Sequence, residues 1–288
     1  MKLWQRILLV PGAILVLGAL FLGWVWLASE AELRRFDPPM AFRQPIPTDA
    51  ASIAKGEHIA RTRGCFGCHG DALQGEVFGD DPWYGYGRAV APNLARYARE
   101  HAPGVIEAAV RHGIGANGRA LYSMPSFNFA RMSDADMAAL IAFLRTVPVR
   151  EAALPAGYLG WQPRWDMARG QDHAIPFFTG KVPLLAKAND PRPEVRLGEY
   201  LAMTSCNECH GFSLRGDNPF DAPGKGPPDL AGAAGYDRAA FFRLMRTGKA
   251  TGNRELRLMS GVARGRFVHW SDPEVDAIYA YLLTLGAQ

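Results

Sequence analysis

The pentapeptide Cys-x-x-Cys-His occurs twice, as Cys65-Phe66-Gly67-Cys68-His69 and as Cys206-Asn207-Glu208-Cys209-His210. The two copies use all four cysteines of the 288-residue chain. This pattern is the attachment signature of c-type haem. Two thiols at this spacing add to the two vinyl groups of one haem, and the next residue is then held close to the iron as its proximal imidazole ligand. The sequence therefore predicts two covalently bound haem c groups. Cys65, Cys68 and His69 hold one, and Cys206, Cys209 and His210 hold the other. A single zinc site built from all four cysteines is the competing reading, but it gives the histidine after each pair no role. With both haems attached no cysteine remains for a disulfide, and each haem becomes the covalent staple of a small domain.

An internal repeat sets the organisation. Lys55-Gly56-Glu57 precedes the first motif and Leu197-Gly198-Glu199 the second. Pro92-Asn93-Leu94 is answered by Pro228-Asp229-Leu230. Arg111, Gly113, Arg119, Leu121 and Met124 are answered by Arg246, Gly248, Arg254, Leu256 and Met259, at a constant offset of 135. Each copy reads as mostly helical. A helix leads into each haem motif, and Pro103-Gly104-Val105 opens a short one that Gly113 can cap. Ser133-Asp134-Ala135-Asp136 and Ser271-Asp272-Pro273-Glu274 are capping patterns ahead of closing amphipathic helices. The segment 149–193 between the copies is rich in Pro, Gly and aromatic residues, and reads as an ordered strap rather than a free tether.

A six-coordinate haem needs a second axial ligand, and thioether sulfur suits ferrous iron. Met124 lies between two helices, ahead of the stiffening Pro125, and its repeat partner is Met259. These two are the expected distal ligands. Met132 and Met137 are neighbours that could compete with Met124 but have no methionine counterparts in the second copy; Met245, inside an expected helix over 241–246, and His269 are the rivals of Met259. His58 and His101 are expected at the surface. Arg119 and Arg254 are candidates to pair with haem propionates.

Residues 7–28 are apolar and uncharged. These 22 positions reach roughly 33 Å as a helix, against a bilayer core of about 30 Å. Lys2 and Arg6 precede the run, so the positive-inside rule puts Met1 in the cytoplasm and the rest outside. A cleaved signal peptide is the alternative. Against it, the run is long for that role and no small-x-small site follows. Either reading exports the chain. The net charge of +4 is mild and mixed, and argues against nucleic acid as a partner.

With these motifs the chain resembles class I cytochrome c in tandem form. The stretch from Gly118-Arg119 through Met124-Pro125 to Ser133-Asp134 is similar to the membrane-bound cytochrome subunits of periplasmic dehydrogenases. Those subunits often carry three haem domains, whereas this chain has two. The resemblance implies a mostly α fold: two tandem class I cytochrome c domains (50–148 and 194–288) after one N-terminal transmembrane helix. The anchor would span 1–30, a juxtamembrane linker 31–49 and an inter-domain linker 149–193. It also implies electron transfer rather than catalysis. The partners would be redox proteins, among them a dehydrogenase, a quinol-oxidising complex, a soluble cytochrome or an oxidase. The location would be the bacterial inner membrane, with the haem domains facing the periplasm. A dihaem peroxidase is the alternative. It needs an open, reactive iron, and a methionine loop in both copies argues against one.

Overall fold

The structure is a computed structural model that describes residues 3–37, 42–81, 85–219 and 226–287, with side chains described from Val10 onward. Met1 and Lys2, on which the membrane orientation partly rests, lie outside the described residues.

Helix α1 (Leu3–Arg34) runs unbroken through Pro11 and ends four residues past the expected anchor. An 18-residue window within Val10–Arg34 has a mean hydropathy of 2.1 and is almost wholly uncovered by the rest of the protein. The segment is long and apolar enough to cross a membrane.

The first repeat comprises α2 (Ala50–Thr62), α3 (Cys65–His69), α4 (Leu94–Glu100), α5 (Pro103–Glu107) and α6 (Asp134–Thr146). Helix α5 continues as a widened turn to His112 and ends at Gly113 with φ 72°. The side chain of Asp49 caps α2, that of Asn93 caps α4 and that of Ser133 caps α6. Between α3 and α4 lies a hairpin of β1 (Glu76–Asp81) and β2 (Gly87–Ala91). The short β3 (Tyr158–Leu159) from the linker adds to β2, giving an antiparallel sheet that periodicity does not announce. The linker also forms α7 (Trp161–Ala168) and α8 (Ile175–Thr179).

The second repeat comprises α9 (Pro193–Met203), α10 (Asn207–His210), α11 (Arg238–Thr247), α12 (Leu258–Gly265) and α13 (Asp272–Gly286). Ser271 and Glu274 form a complete capping box on α13.

In both copies the first and last helices cross in intimate contact, and a glycine makes this possible. A Cβ on Gly56 would lie 2.0 Å from the Ala139 carbonyl oxygen, and one on Gly198 would lie 1.9 Å from that of Ala277. Only a residue without a side chain fits there. Arg111 and Arg246 are equivalent staples. Arg111 bonds the Met132 carbonyl and Asp134, while Arg246 bonds the Phe267 carbonyl and Asp272. Each ties the helix before the distal loop to the start of the closing helix. Met132, Met137 and Met245 are buried core, as their apolar settings require.

The two domains are fused by specific polar contacts. His58 Nε2 lies 2.8 Å from Glu274. Tyr200 donates to Asp136, which also pairs with Lys55. Phe127 from the first copy packs on Phe212 of the second and Phe178 of the linker. His58 is therefore an interface residue, not the free surface group its polar neighbours suggested. His101 stacks on Tyr97 at 4.2 Å.

Helix α1 is built into the first domain. Its residue Glu30 accepts from Arg119 at 2.6 Å and from Arg164 at 3.0 Å. Arg164 also donates to Ser29 and stacks over Trp26. The Ala120 amide donates to the Leu33 carbonyl at 2.8 Å. Phe21 and Trp24 pack against Trp161 and Trp165 of α7.

Candidate functional site

The two pentapeptides fold alike. Each histidine ends a short helix, and the chain turns back through Leu73 or Leu214, both buried at positive φ (57° and 62°). The Gly75 and Gly216 amides then donate to the His69 and His210 carbonyls, each at 2.9 Å. This turn delivers the Pro-Asn-Leu and Pro-Asp-Leu steps. The Leu94 amide bonds the Leu73 carbonyl and the Leu230 amide bonds the Leu214 carbonyl, again both at 2.9 Å. The preceding proline carbonyls are thereby aimed at the imidazoles. His69 Nδ1 donates to Pro92 O at 2.8 Å, and His210 Nδ1 donates to Pro228 O at 2.8 Å.

That bond fixes the tautomer. The proton sits on Nδ1, so Nε2 carries the lone pair that binds a metal. Burial pulls both imidazoles below their ordinary pKa and outweighs the opposing effect of the carbonyls. Both rings are therefore neutral, the form that ligates iron.

A cavity of about 570 Å³ opens beside the first motif. Cys65, Cys68, His69 and Met124 all line it. Ile106, Leu140 and Leu144 supply apolar wall. The volume lies in the range of cofactor sites, and a neutral imidazole, two thiols and a thioether form a donor set that fits haem c. In the second domain Cys206 belongs to the core that also holds Leu214 and Trp270, with Met259 packed against it. Met124 stands in an irregular loop, whereas Met259 stands in the first turn of α12.

The thiols themselves argue against a redox dithiol. Burial pushes Cys65 up to about 11 and Cys206 up to about 12, whereas a reactive cysteine needs a depressed value. Among the described residues, no group of three or more His, Cys, Asp or Glu side chains is placed to hold one metal ion. The single zinc site is therefore not built.

Arg119 lines the first cavity but is taken up by Glu30 of α1. Its partner Arg254 is exposed. His269, the rival second ligand, is exposed and faces an inter-domain groove with Arg61 and Phe66.

The sequence model of the family described as "Cytochrome c" matches residues 53–148 and 195–286. The chain belongs to the cytochrome c family. The fold is mostly helical, with two cytochrome c domains after the apolar helix. The alcohol dehydrogenase (quinone) cytochrome c subunit of Gluconobacter oxydans (strain 621H) is 27% identical to this cytochrome, covering 83% of this chain and 56% of the relative. The gluconate 2-dehydrogenase cytochrome c subunit of Pantoea cypripedii is 26% identical, over 83% and 60% of the two chains. The counterpart from Gluconacetobacter polyoxogenes, also an alcohol dehydrogenase (quinone) cytochrome c subunit, is 30% identical over 68% and 44%. The chain thus spans about half the length of these curated relatives. All three are named as cytochrome c subunits of dehydrogenases.

Proposed function

We propose that this protein is a membrane-anchored dihaem cytochrome c that relays electrons between a dehydrogenase and a membrane or periplasmic acceptor. The observation that carries the reading is the repeated histidine geometry. In both copies a proline carbonyl holds Nδ1–H at 2.8 Å and frees Nε2 beside two thiols. Cys65, Cys68 and His69 would hold one haem, with Met124 as distal ligand. Cys206, Cys209 and His210 would hold the second, with Met259 distal. The haems supply one-electron chemistry. The protein's part is to bind them covalently, fix the imidazoles, exclude water with the surrounding apolar side chains, and set the potentials by burial and charge.

A dehydrogenase partner is supported by the names of the relatives. An anchor facing the haem domains to the periplasm is supported by the exposed apolar length of α1 and by export, which haem attachment requires. A dihaem peroxidase is disfavoured because Met124 already lines the cavity with His69.

Ligation is tested by near-infrared absorption of the oxidised protein. The weak sulfur-to-iron band is expected, and Met124→His should remove part of it and lower one reduction potential. An unchanged band would show that Met124 is not a ligand.

A further inference from the structure

If both motifs carry haem, the junction between the domains forms a wall of the first site that is built in part from the second attachment motif. Glu208 lies inside the second attachment motif, yet it and Arg266 line the first cavity together with Cys65, Cys68 and His69. Arg266 follows α12 in the second domain, and its Nη1 lies 2.7 Å from Glu208 Oε2. Both side chains are largely withdrawn from water, 19% and 24% exposed. A Cβ on Gly64 would fall 2.1 Å from Arg266 Nε, so the guanidinium rests against the backbone that leads into Cys65. Arg266 thus lies against the first attachment segment on one side and bonds Glu208 of the second on the other. Arg63 adds a second buried cation, 4% exposed, with no protein partner for Nε, and it lines the first cavity beside Cys65. The attachment edges of the two sites therefore meet across one charged, poorly hydrated junction.

We propose that the Glu208–Arg266 pair is a positioning element shared by both haems, setting the reduction potentials of both sites from one place. The proposal rests on the dihaem reading above and deepens it. A nearby cation favours the ferrous state and a nearby carboxylate the ferric state, and little water screens either charge here. Transfer between the sites oxidises one ferrous centre to ferric and reduces the other from ferric to ferrous, with no proton or atom exchanged. Both ends of that step feel the same ion pair, so the pair can shift both potentials without reversing their order.

The test uses the full-length holoprotein and the variants Glu208→Gln, Arg266→Gln, Arg266→Lys and the Glu208→Gln/Arg266→Gln double. Intact mass first counts haems per chain, which checks the dihaem reading separately. Spectroelectrochemical titration then resolves two one-electron components. Glu208→Gln should raise both and Arg266→Gln should lower both. Each shift should be about threefold to tenfold in the reduction equilibrium, or about 30 to 59 mV for one electron. The double variant should return both components towards wild type, and Arg266→Lys should leave them nearly unchanged. A shift confined to one component, or single variants that move in the same direction, overturns the proposal. If Arg266→Gln fails to mature with two haems, Glu208→Gln and Arg266→Lys decide the question between them.

Discussion

Replacing Glu30 with alanine removes the carboxylate that fastens the apolar helix to the first cytochrome c domain. Glu30 accepts from Arg119 at 2.6 Å and from Arg164 at 3.0 Å, and the three side chains are 18%, 29% and 9% exposed. Without it, two guanidiniums lose their anion, and Arg164 has almost no access to water. Removing one partner of a buried pair costs about 3–5 kcal/mol. Arg119 can recover some hydration, which places Glu30→Ala near the lower end, at about 3 kcal/mol. For a domain assembly of this size that corresponds to about 6–12 °C in melting temperature, at roughly 2–4 °C per kcal/mol. The assay is thermal melting of the detergent-solubilised holoprotein, followed by haem absorbance. Glu100→Ala is the control, because its pair with Arg96 is 54% and 45% exposed and such pairs contribute about 0–1 kcal/mol. If Glu30→Ala melts with the control, the helix is a tether hung from the domain rather than part of it, and the reasoning fails.

Gly56→Ala and Gly198→Ala should each destabilise their own domain by about 1–3 kcal/mol or more, since the added methyl meets a backbone carbonyl that cannot move aside; denaturant unfolding of each variant checks this. The interface should weaken in acid. Burial alone would raise the Glu274 carboxyl, but bonds from His58 and Ser271 hold it down at about 2. Its folded value lies below the ordinary 4.5, so the stabilisation is complete above pH 4.5 and fades as pH falls towards 2. Denaturation of wild type and Glu274→Gln should therefore converge on acidification, and parallel curves would refute the assignment. Truncation to a start near Phe36, with a cleavable export signal supplied, removes Leu33 from the wall of the first cavity along with Glu30. That protein should mature with a less stable first domain, and equal melting of both forms would argue for simple tethering.

Local features of the fold were legible in the sequence because they depend on short-range chemistry. Ser133 and Ser271 cap the closing helices where a side-chain acceptor precedes a periodic run. Gly113 ends its helix at positive φ, as expected, and its repeat counterpart Gly248 does the same. The repeat exposed Pro92 and Pro228 as a paired feature, although their role on the imidazoles emerged only from geometry. Contacts between distant segments were not legible. Nothing near Glu30 in the chain points to Arg119 or Arg164, and nothing near His58 points to Glu274. Strand β1 carries Gly79, Asp80 and Asp81, residues with poor strand propensity, and it exists because β2 pairs with it and β3 extends the sheet. The stretch from the expected distal methionine to the last helix is three residues longer in the second copy, and there it folds as α12, which begins one residue before Met259.

The central claim is that each half of the chain binds its own haem through its own cysteines. Haem content per polypeptide, measured by the pyridine haemochrome assay, tests it most directly on the wild type and on Cys65→Ala/Cys68→Ala and Cys206→Ala/Cys209→Ala. The account predicts two covalently bound haems in the wild type and one in each double variant. One haem or none in the wild type would contradict it, as would two in either variant.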